Sequence, residues 1–309
     1  MLKRILIIAN PGSGKGEASK HVEKLSDVLK EEYDSEIDIR ETTKFGDAKN
    51  WAQAAKDEKY DTVICLGGDG TVNEVVNGLM LREEPPVFSF VPIGTVNNLG
   101  RVLGFGMNPE TAIEQFRNLD MDLIDIGQVN EQYFISSVAV GDIPMAIMET
   151  DSEQKNRLGF LAYVAEGAKA VVEGEGKEYH VTNSNGEVFK FTSNAIIIPL
   201  TSSVGGVENI IEHRDYKDGL LQFIALKGNV VASTLKTLAK NGGIPVEPTN
   251  NETLLAFSGN EVSLQLLNNE EKMSSNVDGD KGPELPLNIK VHKEALRVLK
   301  PRIEEERVV

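Results

Sequence analysis

The densest cluster of chemistry-capable residues is Gly67-Gly68-Asp69-Gly70-Thr71. Val63-Ile64-Cys65-Leu66 precedes it, and Val72-Asn73-Glu74-Val75-Val76-Asn77-Gly78 follows. A short apolar run, a glycine turn and then apolar residues at helical spacing predict strand, tight turn and helix. Three glycines in four residues let the backbone reach positive φ and leave the turn almost free of Cβ atoms. A bulky anion can then approach N–H groups at a helix start, which carries partial positive charge. Asp69 is the odd member, because a carboxylate inside an anion cradle is repulsive. A metal ion, a proton or a hydroxyl donor must stand between them. The turn therefore points to phosphate with a cation, or phosphate with a hydroxyl to be activated. The plain alternative is an ordinary strand–helix turn.

Four other stretches carry polar groups in turn-forming sequence. Asn10-Pro11-Gly12-Ser13-Gly14-Lys15 follows an apolar run and places a Lys where it can pair with phosphate. It is not a Walker A loop: Gly16 follows Lys15 where Ser or Thr is required, and Ala9 replaces the first glycine. Pro92-Ile93-Gly94-Thr95-Val96-Asn97-Asn98 is a second polar loop after an apolar run. Asp215-Tyr216-Lys217-Asp218-Gly219-Leu220 offers two carboxylates and exposed carbonyls, donors that suit a hard cation, although Asp-Gly before a strand is also plain turn chemistry. Asn276-Val277-Asp278-Gly279-Asp280 contains the Asp-Gly pair of a hairpin turn. The four histidines are scattered without metal-ligand spacing.

These stretches resemble the diacylglycerol kinase catalytic domain, which bacterial lipid kinases, sphingosine kinases and ceramide kinases share. NAD kinases and phosphofructokinases carry a related Gly-Gly-Asp-Gly turn. The resemblance runs over nearly the whole chain and favours the bacterial lipid-kinase branch. It implies an ATP site built from Asn10, Pro11, Gly12, Ser13, Gly14, Lys15, Thr42, Gly67, Gly68, Asp69, Gly70, Thr71, Val72, Asn73, Glu74 and Thr95. It implies a structural magnesium at Asp215, Asp218 and Leu220, the last through its backbone. It places Asp280 as the general base and Asp69 beside the magnesium–water cluster at the transferred phosphoryl. Three positions depart from the family pattern: Asn98 stands for Asp, Asp280 for Glu, and Glu166 for a Lys of some bacterial members. An amide at 98 carries no charge to organise a metal-bound water. Asp280 is shorter than Glu by a methylene, on the order of 1 Å, and a displacement of that size can cost about a hundredfold in rate.

The expected activity is transfer of the γ-phosphate of ATP to a lipid hydroxyl, with diacylglycerol or a related lipid met transiently at a membrane surface. A family member that binds nucleotide with weak or lost kinase activity is the alternative, motivated by the three departures. NAD kinase is a third reading.

The elements that must position these residues follow from periodicity. Up to about residue 125, apolar runs (Lys3–Ala9, Ile37–Arg40, the Val63 run, Val87–Pro92) alternate with helical patterns at Glu17–Glu32, Asp47–Lys56, from Val72, and from Asn108-Pro109. Such alternation predicts a parallel sheet covered by helices, with ligands at the strands' carboxyl ends. Beyond that, Leu123–Val129, Tyr133–Val140, Lys177–Thr182, Val188–Phe191, Ala195–Ile198, Leu220–Leu226, Val262–Leu267 and Leu287–Val291 read as strands. Helical stretches at Leu158–Val172 and Val230–Ala239 interrupt them. The expected fold is α/β: an N-terminal parallel-sheet nucleotide-binding domain of NAD kinase/phosphofructokinase type over residues 1–124, and an antiparallel β-sandwich-like domain over 125–298. The resemblance allows 299–309 to rejoin the first domain.

At 309 residues two domains are the natural count. A net charge of −16 argues against nucleic acid and against tight electrostatic docking on anionic lipid. No apolar run approaches the ~18 residues of a membrane span. The basic start and short apolar run at Met1–Asn10 read as a first strand, not a leader. A single cysteine, Cys65, forbids an internal disulfide and fits a reducing cytoplasm, with any membrane contact peripheral. A homodimer stays open.

Overall fold

Strand β3 (Thr62–Gly67) is buried along its whole length, as is β4 (Val87–Pro92); β1 (Arg4–Ala9) is buried from Ile5 on. Strands covered on both faces read as continuous apolar runs, and these do. In the computed structural model, which describes residues 1–13, 18–141, 176–202, 215–227, 247–268 and 272–302, they form a parallel sheet with β2 (Glu36–Glu41) in the order β4-β3-β1-β2. β2 lies at the edge and is correspondingly half-exposed and charged. The connections are α1 (Ala18–Tyr33), α2 (Asp47–Ala54), α3 (Asp69–Leu79), α4 (Asn98–Leu103) and α5 (Pro109–Gln115). Asn108 caps α5, accepting N–H bonds from Glu110 and Thr111, with Pro109 at the first position. Gly78 lets α2 and α3 touch: a Cβ there would stand 2.2 Å from the Lys49 carbonyl oxygen.

The chain divides into two compact units, Met1–Ile124 together with the chain from Ala295 on, and Asp125–Glu294. Strand β5 (Leu119–Val129) leaves the first unit. The second unit holds β6 (Gln132–Phe134), β7 (Ser137–Val140), β8 (Lys177–Asn183), β9 (Val188–Pro199), β10 (Leu221–Lys227), β11 (Thr249–Asn250), β12 (Leu254–Gly259), β13 (Glu261–Leu266), β14 (Ser274–Val277), β15 (Asp280–Glu284) and the start of β16 (Leu287–Pro301). Pairing here is antiparallel, in the order β11-β12-β10-β9-β8-β13-β16, with β7 joining β9 to the β14–β15 hairpin. Alternate residues make its core, which includes Tyr179, Phe191, Phe223, Phe257 and Leu264; the Phe223 and Phe257 rings stack at 4.9 Å. The α/β class with a parallel N-terminal and an antiparallel C-terminal sheet is as the sequence predicts. β16 begins in the second unit and, from Ala295, pairs in parallel with β4 in the first, Val298 opposite Phe88.

Several elements differ from expectation. Val188–Phe191 and Ala195–Ile198 are one strand, because Ser193 turns inward, its hydroxyl 2.6 Å from the Leu226 carbonyl oxygen, and the register skips a residue there. Tyr133–Val140 is two strands, parted where the Asp278 carboxylate takes the N–H groups of Ile135 and Ser136. The segment after Pro92 includes the short helix α4, and β12 and the β14–β15 hairpin lack a strong alternating pattern. The predicted helices at Leu158–Val172 and Val230–Ala239, the Glu166 position and the residues from Ile303 on lie outside the described residues.

Candidate active site

In the first unit the chain crosses from β1 out to β2 and returns to β3 on the other side of β1. That reversal is a topological switch point, the place at the strands' carboxyl ends where open α/β sheets carry their ligand sites. The glycine turn closes β3 there. A Cβ on Gly67 would stand 2.5 Å from the Thr71 Cβ, and one on Gly94 would stand 2.5 Å from the Gly68 Cα. Only glycine lets the β3 and β4 loops approach this closely. Asn10, at the end of β1, donates from Nδ2 to Thr71 Oγ1 at 3.1 Å and accepts the Gly12 N–H at 2.9 Å. Its side chain thus ties the first loop to the head of α3.

Asp69 is engaged on both oxygens. Oδ2 accepts the Asn97 N–H at 2.7 Å and Oδ1 accepts the Asn98 N–H at 2.8 Å. The carboxylate therefore serves the start of α4, whose own cap position, Asn97, is left-handed with φ 54° and makes no side-chain cap bond. Asn97 instead folds back, accepting the Gly94 N–H at 3.0 Å and donating to the Gly94 carbonyl at 2.8 Å. Burial pushes the Asp69 carboxyl above its usual range, opposed by these two N–H groups and by the Arg101 guanidinium.

The other expected nucleotide residues take several positions. Gly70 and Thr95 are exposed on the crest, as are Pro11 and Gly12; Ser13 is half-buried. Val72 is 3% exposed and packs in the core, its N–H bonded to the Gly68 carbonyl. Asn73 accepts from Asn77 within α3. Glu74 Oε2 accepts the Gly46 N–H at 2.8 Å and pins the start of α2 to α3. Thr42 closes β2, its N–H bonded to the Ala9 carbonyl at 2.8 Å. The structure thus brings together Asn10, Gly12, Gly67, Gly68, Asp69, Thr71 and Thr42 at one end of one sheet. Gly14 and Lys15 lie outside the described residues.

The acidic turns belong to the second unit. At Asp278-Gly279 both central residues have positive φ, 52° and 101°, joining β14 to β15 as a two-residue hairpin demands. Asp278 Oδ2 accepts the Ile135 N–H at 2.8 Å, and Oδ1 accepts those of Ser136 and Ser137 at 2.8 and 2.9 Å. Asp280 follows, exposed, as the first residue of β15. At the other turn, Asp215 Oδ1 accepts the Lys217 N–H at 3.2 Å and Asp218 Oδ1 the Leu220 N–H at 2.8 Å. Beneath them lies Asp125, 4% exposed, accepting the Gly219 N–H at 2.6 Å and the Glu294 N–H at 2.7 Å. The donors at this turn are all oxygen. They fit a magnesium ion that keeps several waters and takes one or two carboxylates. Among the described residues no group of three or more His, Cys, Asp or Glu forms a cage of protein ligands.

Residues 4–129 match the diacylglycerol kinase catalytic domain, and residues 136–300 match the YegS C-terminal NAD kinase beta sandwich-like domain. The chain belongs to the diacylglycerol kinase family. It is 33% identical over 290 residues to a diacylglycerol kinase of Bacillus subtilis (strain 168), covering 92% of each chain. It is 32% identical over 314 residues to one of Staphylococcus saprophyticus subsp. saprophyticus, covering 100% of this chain and 99% of that one. The fold is shared with the crystal structure of a diacylglycerol kinase from Bacillus anthracis str. Sterne: TM-score 0.75, 22% identity, 99% and 98% coverage.

Sequence reasoning passed over two carboxylates, Asp125 and Asp278, that shape both acidic turns in this diacylglycerol kinase family member. Asp125 had a signal: a charge inside the apolar run Leu123-Ile124-Asp125-Ile126, where burial requires hydrogen-bond partners. Asp278 had none beyond its turn. No helix among the described residues is long and apolar enough to cross a membrane.

Proposed function

We propose that the protein transfers the γ-phosphate of ATP to a hydroxyl of diacylglycerol or a related lipid. The observation that carries this reading is the cradle at the end of β3, where Gly68 meets Gly94 and Asn10 bridges to Thr71. It presents backbone N–H groups at a helix start without side chains in the way. Relatives covering over nine-tenths of the chain bear the name diacylglycerol kinase.

In this reading the loops at Asn10 and Gly67 hold the phosphates and Thr95 adds a donor from the β4 loop. Asp69 fixes the Gly94–Asn98 loop against the cradle and keeps its geometry while the phosphoryl group moves. Asp280 accepts the proton of the lipid hydroxyl, and the attacking oxygen displaces ADP. Magnesium would neutralise phosphate charge, and a second ion at Asp215, Asp218 and the Leu220 backbone would stiffen that turn. Positioning and charge neutralisation supply most of the rate in phosphoryl transfer.

Asn98 and Asp280 support a second reading, nucleotide binding with weakened transfer. Radiolabelled ATP offered to a panel of diacylglycerol, related lipids and NAD separates the readings. Transfer to a lipid, abolished by Asp280→Asn with ATP binding retained, is the expected result. ATP binding with no transfer to any lipid would falsify the kinase reading, and phosphorylated NAD would replace it. If the pair Asp280→Glu and Asn98→Asp raises turnover, the departures have lowered it.

A further inference from the structure

We propose that Phe45 is the stacking platform for the base of the bound nucleotide, a proposal that rests on the nucleotide reading above. Phe45 is 89% exposed and is the one aromatic among the exposed large hydrophobic residues of the described chain. An aromatic ring in water is ordinary on a loose loop. This loop is tightly built. The Thr43 N–H and hydroxyl reach Asp47 Oδ2 at 2.9 Å each, and the Lys44 N–H reaches it at 3.1 Å. The Gly46 N–H is bound to Glu74 at 2.8 Å, and Gly46 itself has φ 90°, a conformation that favours glycine. The backbone on both sides of Phe45 is therefore fixed while the ring stays 89% exposed.

The anchors of this loop place the ring. Thr42, three residues before Phe45, is bound to Ala9, the residue before Asn10. Glu74 lies one turn beyond Asp69-Gly70-Thr71 on α3. The loop thus hangs from the two elements whose ends form the phosphate cradle. Phosphates seated there leave two directions along the crest for ribose and base. Towards β4 the crest is closed by the Gly68–Gly94 contact and the Asp69 bonds to Asn97 and Asn98. Towards β2 it carries Thr42 and then Phe45. Among its described residues the cradle is polar and offers no flat apolar face, which the Phe45 ring supplies. Glu41, Asp47 and Glu74 outnumber Lys44 in and around the loop, in a chain of net charge −16, a poor setting for an anionic membrane surface. Stacking uses the π-face common to all bases, so Phe45 contributes affinity with little choice between adenine and guanine.

Calorimetric titration of wild type, Phe45→Ala and Phe45→Tyr with ATP, GTP and inorganic tripolyphosphate, each with magnesium, tests this. At 89% exposure Phe45 has little packing to lose, so both variants keep the fold. Phe45→Ala is expected to weaken ATP and GTP by about tenfold, the scale of one base–aromatic stack. Tripolyphosphate binding stays unchanged, and Phe45→Tyr restores ATP affinity. Equal ATP affinity in wild type and Phe45→Ala overturns the proposal while the nucleotide reading stands. So does an equal loss for tripolyphosphate, or lost sedimentation with diacylglycerol-containing phosphatidylcholine vesicles at unchanged ATP affinity, which would assign the ring to the membrane. A wild type that binds neither ATP nor tripolyphosphate overturns the nucleotide reading and this proposal with it.

Discussion

Asp69 and Asp278 both sit in glycine turns, and each carboxylate holds backbone N–H groups of another loop. Asp69 takes two N–H groups from 28 and 29 residues away, so its first effect is to fix where the β4 loop lies. Asp69→Asn keeps the shape but accepts with one oxygen and turns an NH2 against the second donor. Leaving a buried donor unsatisfied costs about 1–3 kcal/mol, to be read from urea unfolding, and nucleotide affinity falls as the Gly94–Asn98 loop loosens. The pH dependence carries a sign. Because burial raises the Asp69 pKa in the folded state, the native protein binds that proton more tightly than the unfolded chain. Its contribution to stability is greatest below the unfolded pKa and declines as pH rises through the folded one. Wild type should show this decline and Asp69→Asn should lack it; identical slopes would mean the carboxyl is unshifted.

The turns at the ends of β3 and β4 work as one element because Gly68 and Gly94 touch, and Asn10 ties the β1 loop to them through Thr71. Gly94→Ala would put a Cβ 2.5 Å from the Gly68 Cα and 2.8 Å from Asn97 Oδ1, so the loop must move off the β3 turn. Overpacking of this kind costs roughly 1–3 kcal/mol. The expected outcome is a lowered Tm together with ATP affinity weakened by about tenfold or more, measured by the same titrations; unchanged affinity would separate the β4 loop from the nucleotide site. Much of this element level is legible in sequence. The three glycines announce the turn, and apolar periodicity announces β1, β3, β4, α1 and α3. The Asp278-Gly279 hairpin turn is legible too, but β12 and the strands β14 and β15 escape, since Leu254-Leu255-Ala256-Phe257 has no alternation and Asp280-Lys281-Gly282-Pro283-Glu284 has low strand propensity. Pairing with neighbours decides both.

Across the whole molecule the chain's return matters most. From Ala295, β16 enters the first unit: Val298 pairs with Phe88, the Ser89 hydroxyl donates to the Leu299 carbonyl at 3.0 Å, and the Arg302 N–H reaches the Asn118 carbonyl at 3.0 Å. Leu296, Val298 and Leu299 are all buried. At about 1.5–3 kcal/mol for each buried side chain, their removal approaches the entire stability of a typical domain. A chain ending at Glu294 should therefore expose β4 and lose the protease resistance of the first unit, although Met1–Ile124 is intact in sequence. Limited proteolysis with mass spectrometry checks this; a resistant N-terminal fragment would show that β16 is dispensable.

The sequence by itself determined what local chemistry can determine. Glycines without Cβ atoms followed by apolar residues at helical spacing specify a tight strand–helix turn within one short stretch, and apolar periods of two and 3.6 specify which segments are strands or helices. Tertiary structure decided which loop each carboxylate holds, that Tyr133–Val140 breaks in two, and that Leu287–Pro301 serves both units. Those outcomes depend on hydrogen-bond and packing partners far along the chain, as Asp278 finds Ile135 across 143 residues. No spacing rule encodes such a meeting, because folding alone brings donor and acceptor within reach.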